Sequence, residues 1–473
     1  MKIKLVSVES GISAIGFRKI AAIAKASEHD VEVLFVPTDN KYKTLSYMFP
    51  DNNARLTYKD IDIIGDYLAQ ADVVMFSSMT ISKQYVHDII NRIKYNNINI
   101  KTVWGGAHPT LYPEEASKYA DIICRGEGEE WTSAYLGVSN IQRHSYQGYD
   151  CKIYDFRTKL FRVLTPIDYA IYNGTLFRTL WTTGCPFSCS YCANDALISL
   201  DPGYKKLKYQ SVDWIIEEIE LALKQYPFVT TIAFDDDNFI SLPLDVIIQF
   251  CVEWKKRINL PFVIYGMHPN TVDKQKVERL AQAGMNRCRM GIQSGSKNML
   301  NMYNRTTTVG RIRESADILI NIGREYNMVP PAFDIITDNP LQGIVDYGKT
   351  EKLLYDLDRP YTITLFSLRS FPGTKLYEKL PNLPTTPYTQ TQPTMQNIIL
   401  YLLTIVKPPR WLFDLMLKRY YVKYPKLHWI VKHIYHIKRG LDHITHGDWS
   451  RIGGKWGYWI WKLKNVKKGI KIN

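Results

Sequence analysis

The feature that most constrains the fold is a group of three cysteines on one short segment. Cys185, Cys189 and Cys192 follow a strand-like stretch over residues 177–181 in a C-x3-C-x2-C spacing. Thiolates are the protein ligands of iron–sulfur clusters, and three of them leave one iron of a [4Fe–4S] cluster open, as catalytic metal sites do. A zinc site would require a fourth ligand, but residues 193–222 contain neither cysteine nor histidine. The sequence therefore predicts a catalytic iron–sulfur cluster in a reducing compartment.

Short apolar segments alternate with amphipathic ones in the first part of the chain. Strands are predicted over residues 2–9, 31–37, 73–76, 101–104 and 121–124, and helices over residues 14–29, 61–70 and 84–95. This alternation predicts a parallel, doubly wound α/β sheet, whose ligands lie beyond the carboxyl ends of the strands. The turns at these ends are either ordinary tight turns or a cradle for a large ligand. They contain Ser77, Ser78, Gly105, Gly106, His108, Thr110, Gly126, Glu127 and Gly128.

A second series of strands follows the cysteines, and polar residues stand at the strand ends. Strands are predicted over residues 231–234, 261–265, 287–292, 333–336 and 362–366. The first of them ends in three consecutive aspartates, whose side chains alternate between the two faces of an extended chain, so that not all three can face one site. The polar residues at these strand ends and just beyond are Asp235, Asp236, Asp237, Gln293, Ser294 and Arg305.

This succession of motifs resembles the radical S-adenosylmethionine (SAM) superfamily. The resemblance implies a partial (β/α)6 TIM-type barrel in which Cys185, Cys189 and Cys192 ligate a [4Fe–4S] cluster and the open iron binds SAM. It also implies SAM contacts at the positions that match the family's motifs. Those positions are Tyr191, Asp235, Asp236, Asp237, Gln293, Ser294 and Arg305.

The N-terminal turns resemble a cobalamin-binding domain that occurs in one branch of this superfamily. Residues 105–110 (GGAHPT) and 125–129 (RGEGE) carry the resemblance, which implies cobalamin contacts by the turn residues named above. Cobalamin domains that ligate cobalt with protein carry an Asp-x-His-x-x-Gly motif after the first strand. Here residues 9–13 (ESGIS) contain no histidine, so we expect no axial ligand from this loop. His108 is the one nearby substitute, although a histidine in such a turn is usually hydrogen-bonded to the backbone.

The C-terminal segment differs in composition from the rest of the chain. Residues 401–473 hold 16 of the 60 lysines and arginines, only three aspartates and no glutamate, and six of the 11 tryptophans. Helices are predicted over residues 411–418 and 428–438. Three interpretations compete: a helical cap with a solvated basic face, a surface that binds anionic membranes, and an RNA-binding surface. The longest apolar run, residues 397–406, is too short to span a membrane.

With 473 residues the chain has room for several domains. We predict a Rossmann-like cobalamin-binding domain (1–135), a linker (136–176), a radical SAM barrel (177–380) and a basic, Trp-rich helical region (381–473). The resemblance implies C-methylation of an unactivated carbon through a 5′-deoxyadenosyl radical and methylcobalamin. Oxidative cyclisation or rearrangement is the alternative within the class, and a non-catalytic cobalamin or Fe–S sensor that binds nucleic acid is the alternative outside it.

The expected partners are a small-molecule or lipid-like substrate and a reductant protein such as flavodoxin or ferredoxin, with nucleic acid not expected. Since the N-terminus opens on a strand rather than a signal peptide, we expect a cytoplasmic protein, with a membrane surface as a further contact of the basic region.

Overall fold

The computed structural model describes residues 1–40, 55–141, 144–145, 150–371, 373–383, 391–450 and 454–466. Pro372, which the sequence places in a turn after the barrel, and the last lysines of the basic region lie outside these ranges. The chain forms two compact units, each assembled from separate segments. The first comprises Met1–Phe177, Glu217–Val229 and Ser450–Asn473, and the second comprises Arg178–Ile216 and Thr230–Trp449.

The structure contains 15 strands in the described ranges. They are β1 (Lys2–Glu9), β2 (Asp30–Pro37), β3 (Val73–Ser78), β4 (Lys101–Gly105), β5 (Ile122–Ile123), β6 (Lys152–Asp155), β7 (Leu160–Val163), β8 (Leu176–Thr179), β9 (Thr182–Thr183), β10 (Lys208–Tyr209), β11 (Thr231–Phe234), β12 (Phe262–Met267), β13 (Met285–Gln293), β14 (Ala332–Thr337) and β15 (Thr362–Ser367).

The same ranges contain 19 α-helices. They are α1 (Ile15–Lys25), α2 (Tyr58–Leu68), α3 (Lys83–Asn96), α4 (Ala107–Leu111), α5 (Pro113–Ala116), α6 (Gly128–Leu136), α7 (Pro166–Asn173), α8 (Ala193–Leu200), α9 (Val212–Gln225), α10 (Leu244–Glu253), α11 (Lys274–Ala283), α12 (Lys297–Met302), α13 (Val309–Glu325), α14 (Lys349–Asp356), α15 (Lys375–Lys379), α16 (Met395–Ile405), α17 (Arg410–Leu417), α18 (Pro425–Thr445) and α19 (Gly454–Val466).

The first unit contains a seven-stranded sheet in the order β5-β4-β3-β1-β2-β6-β7. All neighbouring pairs are parallel except β6 and β7. Val6, Leu34, Val74 and Trp104 are buried in its core, as expected for apolar strands covered on both faces. The order confirms a doubly wound α/β fold, since the chain proceeds outward from β1 in both directions.

The segment predicted as a linker differs from that expectation. Residues 136–176 supply β6 and β7, which extend the first sheet beyond β2, and α7 of the same unit. Tyr154 in β6 is fully buried, and its hydroxyl donates to Asp60 at 2.6 Å. The short, mixed sequences of β6 (KIYD) and β7 (LFRV) carry no clear period, since β6 joins the sheet by pairing with the distant β2 and β7 by pairing with β6.

The second unit contains a six-stranded sheet in the order β15-β14-β13-β12-β11-β8. Sequential strands are neighbours, and the pairs from β11 to β15 are parallel. This is the strand arrangement of a partial (β/α)6 barrel. Loops at the carboxyl ends of such strands form the sites of barrel enzymes.

The basic region does not form a unit of its own. Helices α16 to α18 belong to the second unit, where α18 packs on α16 through Tyr435 and Tyr401, whose ring centroids are 5.0 Å apart. Helix α19 belongs to the first unit and packs on α7. Of the helices that the structure describes, none is long and apolar enough to cross a membrane.

Candidate cofactor-binding sites

The cysteine loop lies at the carboxyl end of β8 and is held at several points by backbone hydrogen bonds. Gly184, immediately before the first cysteine, has a φ of +97°, and a Cβ there would lie 2.3 Å from the carbonyl oxygen of Lys206. The Cys185 amide donates to the carbonyl of Tyr204 at 2.9 Å, and the Ser190 amide donates to the carbonyl of Tyr303 at 2.9 Å. The loop is therefore anchored to the surrounding backbone at Cys185 and at Ser190.

The three thiols of this loop are shielded from water. Cys185 and Cys189 are buried and Cys192 is half-buried. Burial raises the pKa of Cys185 to about 11 and that of Cys192 to about 12, so both are protonated at neutral pH without a metal. A metal cluster would replace these protons and supply the charge that stabilises the thiolates.

Arg305 connects the cysteine loop with the end of β13. Its Nη1 lies 3.6 Å from Sγ of Cys189 and donates to the Tyr191 hydroxyl at 3.1 Å, and its Nη2 donates to the carbonyl of Gly291. The guanidinium is buried, yet its Nε has no hydrogen-bond partner in the described structure. Arg305 thus places a buried positive charge and an unused donor beside Cys189 and Tyr191, two of the predicted site residues.

The three aspartates after β11 have three different environments. Asp235 pairs with Arg178 through two hydrogen bonds of 2.6 and 2.7 Å. Asp236 is buried and accepts from the backbone amides of Trp181 and Thr182, which lead into the cysteine loop. Burial raises its pKa to about 7. Asp236 therefore holds the backbone that leads into the cysteine loop.

Asp237 is the aspartate whose charge acts on the cysteine thiols. Its negative charge contributes to the raised pKa of Cys185 and of Cys192, and its carboxylate accepts from the Tyr204 hydroxyl at 2.8 Å. Among the three, Asp237 is the one whose charge acts on the cysteine thiols, while Asp235 pairs with Arg178 and Asp236 binds the Trp181 and Thr182 amides.

Gln293 and Ser294 end β13 in different ways. Gln293 adopts a φ of +67°, a conformation that side chains rarely take. A Cβ built on Gly291 would lie 2.6 Å from Nε2 of Gln293 and 3.0 Å from Nη2 of Arg305, so the glycine leaves room for both. The Ser294 hydroxyl accepts from the Ser296 amide at 3.1 Å and so stabilises the turn in which Ser294 itself lies. The structure therefore brings Gln293, rather than Ser294, to Arg305.

Sequence reasoning missed His268, which follows β12. The imidazole is buried and stacks on Phe187 of the cysteine loop, with centroids 3.6 Å apart and an interplanar angle of 17°. Burial, followed by the nearby charge of Arg305, lowers its pKa to about 2. A single histidine has no spacing signal, and only the fold shows that the end of β12 lies beside residues 185–192.

The candidate site of the first unit is built around a glycine at the end of β4. Gly106 has a φ of +97°, and a Cβ there would lie 2.8 Å from the carbonyl oxygen of Ser78 and 3.2 Å from Oγ of Ser77. Trp104 Nε1 donates to the Ser78 hydroxyl at 3.0 Å. The ends of β3 and β4 are therefore in direct contact, and only glycine fits between them.

The remaining turn residues join the ends of β4 and β5. Thr110 donates to the carbonyl of Gly106 at 2.8 Å and accepts from the Gly126 amide at 3.1 Å. Gly126 has a φ of +77° with open space around it. Glu127 is the N-cap residue of α6, and Gly128 begins this helix. Residues 107–111, expected as a turn, form the short helix α4, because Pro109 fits the first turn of a helix.

His108 is part of α4, and its side chain points into the protein rather than toward solvent. The imidazole is 0% exposed, and neither of its ring nitrogens has a hydrogen-bond partner. The Trp104 ring lies 4.9 Å away, and Nε2 is 4.0 Å from Oε2 of Glu115, which itself pairs with Lys83 at 2.7 Å. Burial lowers the pKa of His108 to about 4. The expected backbone hydrogen bond of this ring is thus absent, and its role toward cobalamin stays a prediction.

Both candidate sites fit the cofactors implied by the sequence. The barrel site offers three thiols on one loop and four buried polar groups with an unused hydrogen-bonding atom: Asp236, Asn238, His268 and Arg305. The first unit offers closely apposed strand ends and the unpartnered hydroxyl of Ser7 in β1, which pairs with Ser77. These atoms leave hydrogen-bonding capacity that a bound polar group could use.

Comparison with known proteins supports both assignments. Residues 1–136 match the B12 binding domain family, and residues 179–347 match the radical SAM superfamily. Bacteriochlorophyllide d C-8(2)-methyltransferase of Chlorobaculum tepidum is 25% identical over 341 residues, which cover 67% of this chain and 69% of that protein. The anaerobic magnesium-protoporphyrin IX monomethyl ester cyclase of Rubrivivax gelatinosus is 24% identical over 282 residues, which cover 53% of this chain and 49% of the cyclase.

Two solved structures share this fold. The radical SAM methyltransferase TsrM from Kitasatospora setae, solved with cobalamin and a [4Fe–4S] cluster, has a TM-score of 0.57 at 16% identity and covers 82% of this chain and 80% of its own. The cobalamin-dependent radical SAM enzyme OxsB has a TM-score of 0.52 at 16% identity. It covers 80% of this chain, whereas this chain spans only 55% of OxsB. These likenesses confirm the fold.

The barrel, its cysteine loop and the matching family model define a radical SAM enzyme. Because a B12-binding domain precedes the barrel in the sequence, the chain belongs to the cobalamin-dependent branch of the superfamily. Its cofactors are a [4Fe–4S] cluster, SAM and cobalamin.

Proposed function

We propose that this enzyme methylates an unactivated carbon atom of its substrate. The observation that carries the proposal is the presence of two cofactor-binding units in one chain: a barrel with three buried or half-buried thiols, one of them beside Arg305, and a B12-binding domain whose strand ends meet at Gly106. When bound, the cofactors supply hydrogen-atom abstraction and a transferable methyl group. Relatives that are 25% and 23% identical carry methyltransferase names, which supports the same reaction type here.

The protein's own residues have distinct tasks in this proposal. The three cysteines hold the cluster, and Arg305 and Tyr191 fix the face of the loop toward β13. Gln293, Asp237 and Arg305 supply polar contacts for SAM. In the first unit, Gly106 allows the backbone to come close to cobalamin, and Thr110 and Gly126 hold the neighbouring turn in place.

The test is anaerobic turnover of the reconstituted enzyme with deuteromethyl-labelled SAM, cobalamin, a flavodoxin or ferredoxin system, and lipid, glycan or peptide extracts. Methylation predicts a product that carries the labelled methyl group together with 5′-deoxyadenosine. A dehydrogenated or cyclised product without the label would instead support the cyclisation alternative, which the cyclase relative favours. Absence of SAM cleavage under all conditions would contradict an enzymatic role.

We further propose that the enzyme is cytoplasmic and that α18 binds the surface of an anionic membrane. One face of this helix is buried against the second unit, including Val431 and Tyr435. The opposite face exposes large aliphatic side chains at alternating spacings of three and four residues, which is the pattern of one continuous helical stripe. The stripe consists of Leu427, Ile430, Ile434, Ile437 and Leu441, which are 42–65% exposed.

Charge and aromatic residues around the stripe favour a lipid partner. Trp429 on α18 is 61% exposed, and Trp411 on the preceding helix α17 is 69% exposed. Residues 407–441 contain nine lysines and arginines and a single acidic residue, Asp414. An exposed apolar face with tryptophan and surrounding basic side chains is typical of helices that lie in a membrane interface. This contact would suit a lipid-like substrate.

Vesicle binding tests this surface with a matched control. Ile434→Glu/Ile437→Glu should abolish flotation of the protein with phosphatidylglycerol-rich vesicles. Ile248→Glu/Val252→Glu changes two exposed aliphatic residues on α10 and should leave flotation intact. Aliphatic insertion predicts binding that persists partly at high salt, whereas a purely ionic partner such as RNA would be released. The proposal is wrong if the wild type does not bind vesicles at low salt, or if both variants lose binding equally.

A further inference from the structure

His268 has its tautomer set by the chain that follows it. The residue caps the turn after β12, and its Nδ1 accepts a hydrogen bond of 3.2 Å from the backbone amide of Asn270. A neutral imidazole that accepts at one ring nitrogen carries its hydrogen on the other. Since burial keeps the ring neutral, Nε2 of His268 is an N–H donor.

Both the ring and the backbone of His268 have defined contacts. Phe187, between the first two cysteines, stacks on the ring at 3.6 Å. The Thr271 hydroxyl donates to the backbone carbonyl of His268 at 2.9 Å and lies 3.2 Å from Oδ1 of Asn238. His268 is only 5% exposed. The imidazole therefore cannot turn toward bulk water without disturbing the loop that holds the cysteines.

The N–H group of His268 has no acceptor within the described structure. A buried donor without a partner is destabilising, and a phenylalanine would fill the same stacking position without leaving a donor unpaired. The ring stacks on Phe187 of the loop that carries the three cysteines, so the sulfur atoms of a bound cluster and the carboxylate of SAM are the candidate acceptors.

We infer that His268 donates a hydrogen bond from Nε2 to one of these anionic acceptors and thereby positions or tunes the cofactor at the barrel site. The inference rests on the assignment of the cofactors and not on the methylation reaction. The cofactor site would then include, besides the cysteine loop, a donor from the end of β12, namely Nε2 of His268.

The test compares His268→Phe, which keeps an aromatic ring against Phe187 but lacks the donor, with the wild type. Two properties are measured on the reconstituted protein: the midpoint potential of the cluster by EPR-monitored titration without SAM, and the affinity for SAM at fixed cluster content. Hydrogen bonds to cluster sulfur stabilise the reduced state. A donor to sulfur therefore predicts a lower potential in the variant, with unchanged SAM affinity.

A donor to the SAM carboxylate predicts the opposite pair of results: an unchanged potential and an affinity for SAM that falls about tenfold, the loss expected for one charge-assisted hydrogen bond. His268→Gln, which keeps a side-chain N–H, should recover part of whichever property is lost. If His268→Phe does not retain its iron, His268→Met gives the same comparison with a more adaptable side chain. Unchanged potential together with unchanged SAM affinity would overturn the inference.

Discussion

The two candidate sites of this enzyme are built from different materials. The barrel site consists of reactive or charged side chains: three thiols, the guanidinium of Arg305 and the imidazole of His268, all of them buried or half-buried. The site in the first unit consists mainly of backbone, with Gly106 pressed against Ser78 and with the turn at Gly126 held by Thr110.

This contrast explains why the two sites respond to sequence change differently. Chemistry at a cluster depends on particular atoms, so a conservative change of one side chain removes function while the fold persists. A backbone can approach a large ligand closely only where glycine lacks a side chain, so the damaging change there is the addition of a methyl group. Three predictions test this difference, beginning with the one of largest expected effect.

Replacement of Cys185, Cys189 and Cys192 by alanine should remove the iron–sulfur cluster and SAM cleavage completely, because no other cysteine of the described structure belongs to this loop. Iron content, the visible absorption of the cluster and 5′-deoxyadenosine formation are the measurements. Cys251→Ala, in α10, is the control and should retain all three. Cleavage at the wild-type rate in the triple variant would rule out the cluster site.

Gly106→Ala should cause a large loss in the first unit. The added methyl would meet the Ser78 carbonyl at 2.8 Å, and alanine is strained at a φ of +97°. We expect at least a tenfold loss of cobalamin affinity and about 3 kcal/mol of destabilisation. Gly126→Ala is the matched control, since its φ is also positive but its surroundings are open, and should cost only about 1 kcal/mol.

Cobalamin uptake followed by absorbance, together with thermal unfolding, distinguishes the two glycine variants. If both variants lost cobalamin affinity and stability equally, backbone strain alone would account for the losses. The close contact between the ends of β3 and β4 would then have no part in binding.

The smallest effect is expected for acid sensitivity of the first unit. The folded pKa of His108, about 4, lies below its ordinary value of 6.5, so the unfolded chain binds more protons between these pH values. Stability from this residue is therefore present above pH 6.5 and decreases as the pH falls toward 4, by at most about 1.4 kcal/mol per pH unit.

Denaturant unfolding between pH 7 and 5 measures this slope. His108→Gln should flatten it, while the matched control His29→Gln, at the half-buried His29 before β2, should not. If His108→Gln leaves the slope unchanged, burial of a neutral His108 is not what makes this unit acid-sensitive.

The sequence predicted the elements that have strong local signals. Strands β1 and β11 have the predicted bounds, and the other strands named from the sequence differ only at their ends, as is usual where hydrogen bonding fades. The cysteine motif was readable because all its ligands lie on one loop. Strand β6 was missed because it pairs with β2, more than a hundred residues away, and β7 because it pairs only with β6 at the edge of the same sheet.

The environments of the site residues were less predictable. Sequence alone could not decide that Asp236 accepts from the Trp181 and Thr182 amides while the charge of Asp237 acts on the cysteines, since this depends on where β8 lies beside β11. The importance of His268 likewise follows from the stacking of two loops. In both cases the information lies in contacts between strand ends that are distant in sequence.

The first unit is not continuous along the chain, and this affects how the enzyme can be made. Tyr458 of α19 packs edge-on against Phe228, with centroids 5.4 Å apart, so the C-terminal helix completes a unit whose first strand begins at Lys2. During translation, the N-terminal segments leave the ribosome long before this partner helix exists. The apolar surface at Phe228 therefore stays uncovered until residues 454–466 have been synthesised. A fragment that ends before these residues would expose the same surface, so it is a poor choice for isolating the cobalamin domain.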